Sequence, residues 1–542
     1  MSINTSELPD DVESLKDIIN ERYLQYKTEL DEQRYKYSDL EEKYNEKYQE
    51  LLILEEKFLV LQKKFFGKSS EKFDPKDDGQ KYLFNEAEDG AAQEESEVIE
   101  EEITVKEHSR KKTGKKPLPD NLPREEIVYD LSEKEKKCEC CGKYLPEIGR
   151  EVSEELDIIP AQIKVNRHIR LKYGSCGCEE SFQQEKPEVK TAKMPERFLP
   201  YSIVSPGLLA YVLVCKFCDA LPFYRMEKIF ERIGVDISRQ TMCNWMMNAA
   251  NKLQQLRELM LRFVLSSPFI QMDETILQVL RDENGNIDAS NSYMWLTLGN
   301  NGNKKMILFH YSPTRGKIVP LEILKSYKGY LQTDGYGGYT EIGKSNGIIH
   351  VGCWAHARRY FTEAAGVSKN ANSANEALSY IRELYGIEKS LRNSNLSDEE
   401  FVKKRKEKVI SLLEKFRNWL IKKQIQVPPK TKIGEAVSYT LSEWEKLICY
   451  LDAPFLTPDN NAAENAIRPF VIGRKNWLFS NTPNGAAASA TIYSLIESAK
   501  ANGLEPYRYL RYLFTKLPEA KTEYELGKLL PTEVEKIDTG LV

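Results

Sequence analysis

The stretch FIQMDETILQVL, residues 269–280, sets a carboxylate, Asp273, inside a run apolar enough for a buried strand. SYMWLTLGN (292–300) and KKMILFHYS (304–312) read the same way, and Asn301-Gly302 between them supplies a hairpin turn. A helical stretch from Leu321 to Tyr327 leads to YLQTD (330–334), which ends on Asp334 and is followed by Gly335. IIHVGCWA (348–355) then runs into a helix beginning HARRYFTEAA. Three strands, a helix and a fourth strand predict a mixed sheet. Asp273 falls on its first strand and Asp334 at the end of its fourth, where adjacent central strands would bring the two carboxylates together.

A third carboxylate, Glu464, lies in PDNNAAENAIRPFVIGRKNWLF (458–479), a predicted helix with Asn461 as its N-cap. Arg468 follows one turn later on the same face, placed either for a phosphate or for Glu464 itself. Hard divalent cations such as Mg²⁺ or Mn²⁺ take oxygen ligands, and a pair of them about 4 Å apart serves phosphoryl transfer. Three carboxylates can supply one shared ligand and one further ligand per metal. A lone acidic residue is more often a solvated surface charge, so the apolar strands around Asp273 and Asp334 carry the argument. Arg474, Lys475 and Trp477 form a basic and aromatic cluster suited to DNA, with core packing the alternative for Trp477. Cys353 and His356 are spaced like a zinc pair but lack further ligands in sequence. His356 could instead touch phosphate or orient a carboxylate, and Arg358 and Arg359 could bind the DNA backbone or face solvent.

Several strings are shared with a known family. MDET (272–275), QTDGYGGY (332–339), CWAHARRYF (353–361), DNNAAENAIRPFVIGRKNWLF (459–479), IYSLIESAKANGLEPYRYL (492–510) and LQKKFFGKSSEKF (61–73) resemble motifs of the insertion-sequence-66 family of bacterial DDE transposases. The resemblance is dense from about residue 120 to 515. It implies a ribonuclease-H-like catalytic core with Asp273, Asp334 and Glu464 as the metal-binding triad, holding two Mg²⁺ or Mn²⁺ ions per site. The implied activity is metal-dependent phosphodiester hydrolysis followed by transesterification, on the ends of an insertion sequence and on target DNA. Co-encoded accessory proteins belong to the same expectation.

The whole-chain net charge of −5 misleads about partners. Asn85 to Thr104 holds nine acidic residues and no Lys or Arg, so the remainder carries +4. HSRKKTGKKPLP (108–119) places Arg110, Lys111, Lys112, Lys115 and Lys116 in seven positions, a basic arm for phosphates or a solubilising tail. No apolar run reaches 18 residues and the N-terminus lacks a signal pattern, which predicts neither a membrane span nor secretion; with the resemblance, this implies a cytoplasmic, nucleoid-associated protein. Ten cysteines in such a compartment suggest reduced thiols and a metal site. Cys138 and Cys141 with Cys176 and Cys178 predict a structural Zn²⁺ module. The resembling family has CxxC in both halves; the second half here is CxC, which leaves Cys140 or His168 as substitute ligands.

Upstream, Tyr23, Leu30, Tyr37, Tyr44, Leu51, Phe58 and Phe65 recur every seven residues. Ile19, Tyr26, Leu40, Leu54 and Leu61 fill the interleaved positions, with Gln33 and Lys47 interrupting. The pattern predicts a coiled coil and a homodimer or higher oligomer, the alternative being a helix folded on its own chain. The expected architecture is a multidomain α/β chain: coiled coil (1–66), linker (67–117), zinc module (118–195), a helix-turn-helix-like or bracing region (196–262), core (263–369), helical insertion (370–455), core helix (456–515) and tail (516–542).

Overall fold

The computed structural model describes residues 11–66, 163–173, 190–287, 290–342, 347–367 and 372–535. Residues 98–195 form one unit and the rest of the chain another. In the small unit β1 (Lys172–Tyr173) pairs antiparallel with β2 (Lys190–Thr191). The basic arm and Cys138, Cys140, Cys141, Cys176 and Cys178 lie outside the described residues, whereas His168 is described and exposed.

The large unit begins with α1 (Val12–Phe66), a single helix of 55 residues and so about 80 Å long. The heptad residues from Ile19 to Leu61 stay open: Tyr37 is 73% exposed and Phe58 65%. Leu52, Ile53, Glu56 and Leu59 are half-buried instead. They form a second face, and Glu56 accepts the backbone N–H of Lys432 at 3.0 Å.

Four helices follow: α2 (Pro206–Phe217), α3 (Phe223–Arg232), α4 (Arg239–Lys252) and α5 (Gln254–Ser266). Ser205 and Ser238 cap α2 and α4 through their hydroxyls. Pro222 is the N-cap of α3. Met242, Trp245, Met246 and Ala249 face inward, so α4 both braces the core and presents Gln240, Asn244, Asn248 and Asn251 to solvent.

The sheet contains β3 (Phe269–Gln278), β4 (Asn291–Asn301), β5 (Lys304–Ser312), β6 (Gly329–Gln332) and β7 (Ile348–Val351) in the order β5-β4-β3-β6-β7. The first three are antiparallel; β6 and β7 run parallel to β3. Gly302 turns the β4–β5 hairpin at φ +64°, where a side chain would be strained. Helix α6 (Ile318–Ile323) is shorter and earlier than the sequence suggests.

After β7 come α7 (Trp354–Val367), then the insertion helices α8 (Asn372–Arg392), α9 (Asp398–Gln426), α10 (Lys432–Ser442) and α11 (Trp444–Ile448). They enclose a second core around Trp354, Phe361, Phe416 and Trp444. Arg405 is wholly enclosed there. It donates to Glu388 at 2.8 Å and to the carbonyls of Tyr450, Ala453 and Leu456 at 2.6, 3.0 and 3.2 Å.

The chain returns through α12 (Asn461–Trp477), α13 (Pro483–Ala501), α14 (Pro506–Lys516) and α15 (Glu523–Gly527). α13 lies along the outer edge of β5. The N–H groups of Phe309, Ile307 and Lys305 donate to Ser494 Oγ, Ser498 Oγ and Asn502 Oδ1 at 2.8, 2.9 and 3.2 Å. Ser498 Oγ and Asn502 Nδ2 donate back to the carbonyls of Ile307 and Lys305. Four residues of helix rise about 6.0 Å and two of strand about 6.8 Å, so one polar residue per turn keeps step with alternate strand residues. A bare edge, which invites pairing with another chain, is thereby closed.

Candidate active site

Register brings the first two carboxylates to one end of the sheet. β3 and β6 run parallel with Gln271 opposite Gln332, and Asp273 and Asp334 each follow by two residues. Asp273 is buried on its strand, and its Oδ1 accepts the next backbone N–H at 2.9 Å. Asp334 is half-buried, and its Oδ1 accepts the N–H of Tyr336 at 3.0 Å. Gly335 beside it abuts the Tyr439 ring of the insertion, and a Cβ there would collide with that ring.

Glu464 arrives through a buried amide network. Gln271 Nε2 donates to Gln332 Oε1 at 2.7 Å and to the Asp459 carbonyl at 3.2 Å. Gln332 Nε2 donates to the carbonyls of Gly352 and Thr457 at 3.0 and 2.8 Å. Asn460, not Asn461, holds the N-cap position of α12. Its side chain makes no cap bond and donates instead to the Met272 carbonyl at 2.9 Å. The turn before α12 is thus bonded to the residue preceding Asp273, and Glu464 lies in the first turn after it, buried. His356, in the first turn of α7, brings Nδ1 to 3.9 Å from Glu464 Oε1.

Sequence reasoning missed a fourth carboxylate. Glu274 Oε1 accepts Arg315 Nε at 2.9 Å and Arg315 Nη2 at 2.7 Å, while its Oε2 accepts the Tyr339 hydroxyl. Arg315 also lies over the Tyr336 ring at 3.7 Å, and the Tyr336 hydroxyl donates to the Arg315 carbonyl. Tyr336 and Tyr339 flank the turn after Asp334, so Glu274 ties that turn to β3. Burial, then the charge of Asp334, push the Glu274 carboxyl up to about 7, against the pull of Arg315 and Tyr339. The available signal was the rarity of an acidic pair inside an apolar strand.

The basic residues divide. Arg358 and Lys475 are exposed, and Arg359 and Arg468 half-buried. Arg474 is buried and turns inward, donating to the Thr275 hydroxyl at 3.1 Å and to the Ile276 carbonyl. It straps α12 to β3 rather than facing a ligand. Trp477 packs edge-on against Phe470 at 5.5 Å, with the Lys216 ammonium 5.8 Å from its ring. It is half-buried against the core. Apolar surroundings push the Lys216 ammonium down to about 8.

Among the described residues no helix is long and apolar enough to cross a membrane. Comparison with known proteins gives four matches. The "Transposase IS66 family" matches residues 201–488, and the "IS66 C-terminal element" residues 494–532. The "zinc-finger binding domain of transposase IS66" matches 135–179, and "Transposase C of IS166 homeodomain" 53–127. Uncharacterized protein y4qI of Sinorhizobium fredii is 29% identical over 558 residues, covering 98% of each chain. Protein y4jD of the same organism is 30% identical over 426 residues, 76% of this chain and 81% of that one. With the first match spanning more than half of its length, and the zinc-finger and C-terminal modules in place around it, this chain belongs to the transposase IS66 family.

Proposed function

We propose that the protein is a DNA transposase that nicks the ends of its element and joins the exposed 3′-hydroxyls to target DNA. The observation that carries the reading is the convergence of Asp273, Asp334 and the Glu464 turn at one end of the β3–β6 pair. The sheet order, three antiparallel strands with two parallel ones added beside the first, supports a ribonuclease-H-like core. An all-oxygen set of three carboxylates fits Mg²⁺ or Mn²⁺. A pair of such ions supplies activation of the attacking oxygen and stabilisation of the leaving one. The chain's own part is to hold the carboxylates: Asn460 and the Gln271–Gln332 pair fix the approach of Glu464, and Arg315 with Glu274 fixes the turn beyond Asp334. Tyr439 and Gly335 bring the insertion against that turn. Arg358, Arg468 and Lys475 are available to phosphate.

DNA contact is assigned to several modules. The amide row on α4, Gln240, Asn244, Asn248 and Asn251, suits adenine edges in a major groove. The basic arm with Arg110, Lys111, Lys112, Lys115 and Lys116 adds sequence-blind affinity. Cys138, Cys141, Cys176 and Cys178 are the proposed Zn²⁺ ligands. The decisive test is incubation of purified protein with labelled element-end DNA and Mg²⁺ or Mn²⁺. Nicks together with strand-transfer products support the transposase. Nicks alone indicate a stand-alone nuclease, and binding without either a regulator.

End pairing is assigned to α1. The helix docks through Leu52, Ile53, Glu56 and Leu59 and leaves its heptad face to solvent, so a second copy can take that face. Residues 1–70 alone are expected to be dimeric or larger by light scattering at micromolar concentration. Deleting residues 1–66 is expected to leave single-end binding and remove paired-end complexes on native gels. A monomeric peptide would move assembly to the insertion.

A further inference from the structure

The first turns of α7 and α12 meet. Trp354 N–H donates to the Pro458 carbonyl at 2.9 Å, and Asn460 N–H donates to Cys353 Sγ at 3.3 Å. This junction gathers Cys353, His356 and Glu464, all buried, with one ligand atom from each lying within 4.8 Å of the others. In sequence Cys353 and His356 look like half a metal site; the fold delivers the third ligand from 108 residues away.

The three side chains differ in kind from the all-oxygen set. Tetrahedral zinc with sulfur, nitrogen and oxygen ligands has ligand–ligand edges of about 3.3–3.6 Å. The gathered atoms need only rotamer adjustments of about 1 Å to reach them. A thiolate and a carboxylate cancel a 2+ charge, so a filled site is neutral where burial penalises net charge. Thiolate and imidazole favour Zn²⁺ over Mg²⁺. Three protein ligands leave a fourth position open, as in zinc sites that bind a further small ligand.

We propose that Cys353, His356 and Glu464 form a cation site selective for Zn²⁺-class ions, distinct from the cysteine-rich module and sharing Glu464 with the acidic set. The binding rests on these three side chains alone. Its consequence, that a filled site draws Glu464 away from Mg²⁺ and slows nicking, rests on the function proposed above.

The test uses the reduced, full-length protein with its cysteine-rich module loaded with zinc, titrated with Co²⁺. Expected is one further equivalent of Co²⁺ per chain, with a near-ultraviolet thiolate-to-cobalt charge-transfer band. Cys353→Ala should abolish the band, and His356→Gln should weaken Co²⁺ binding by about tenfold or more. Circular dichroism checks that each variant folds. No new band in the wild-type chain overturns the proposal without recourse to any variant, as does an undiminished band in folded Cys353→Ala. A band in a chain that fails to nick end DNA supports the site and removes the transposase reading instead.

Discussion

Asp273→Asn, Asp334→Asn and Glu464→Gln are each expected to lower nicking of end DNA by about 10³-fold or more while leaving end binding within a few-fold. An amide keeps the shape of the carboxylate but is a poor ligand for a hard cation. The several kcal/mol that bound metal contributes to the transition state convert to that factor. Gel-shift affinity and nicking rate on the same labelled duplex separate the two effects. Nicking at the wild-type rate in any one variant removes that residue from the catalytic set. The buried positions of Asp273 and Glu464 raise the question of folding, and substitution by amides addresses it, since each keeps a polar group of equal size.

The second large effect lies away from the carboxylates. Arg405→Leu is expected to destabilise the insertion by about 3 kcal/mol, because it leaves the buried Glu388 with only the part-exposed Arg392 as partner and removes the guanidinium bonds to the carbonyls of Tyr450 and Ala453. Hydrogen exchange of residues 372–460 is the appropriate readout, since a chain of several domains has no single unfolding free energy. Removing both charges, Glu388→Leu with Arg405→Leu, should recover part of the loss. Equal protection in wild type and Arg405→Leu would sink the assignment. Arg392 and Arg405 both also hold the Leu456 carbonyl, one residue before the Thr457–Asn460 turn. Loosening the network therefore reaches Glu464, and nicking should fall along with protection.

The parts legible in sequence were those set by local pattern. The apolar runs and Asn301-Gly302 gave strands and a hairpin, and the strand order put Asp273 near Asp334. Other features depend on contacts between distant segments. Glu274 looked like a neighbour of Asp273, and its meaning lies in Arg315 and Tyr339, 41 and 65 residues away. Cys353 and His356 looked incomplete because their companion comes from another helix. Arg474 read as part of a basic and aromatic cluster suited to DNA, yet its guanidinium reaches two groups of β3. Asn460 lost its capping role to a carbonyl on β3, a partner that no helix-start rule would name.

The hydroxyls of α13 along β5 have a consequence for synthesis. About 190 residues separate Lys305 and Ile307 from Ser498 and Asn502, and a similar length separates Asp273 from Glu464. At about 5–20 residues per second, that interval lasts on the order of ten to forty seconds on the ribosome. Throughout it β5 is an open edge, exposed to pairing with other nascent chains, and the carboxylate set lacks its last member. One late segment, residues 461–502, closes the sheet and completes the acidic set together. A chain released early therefore carries the aggregation hazard and an incomplete acidic set, and only near-complete translation ends both conditions.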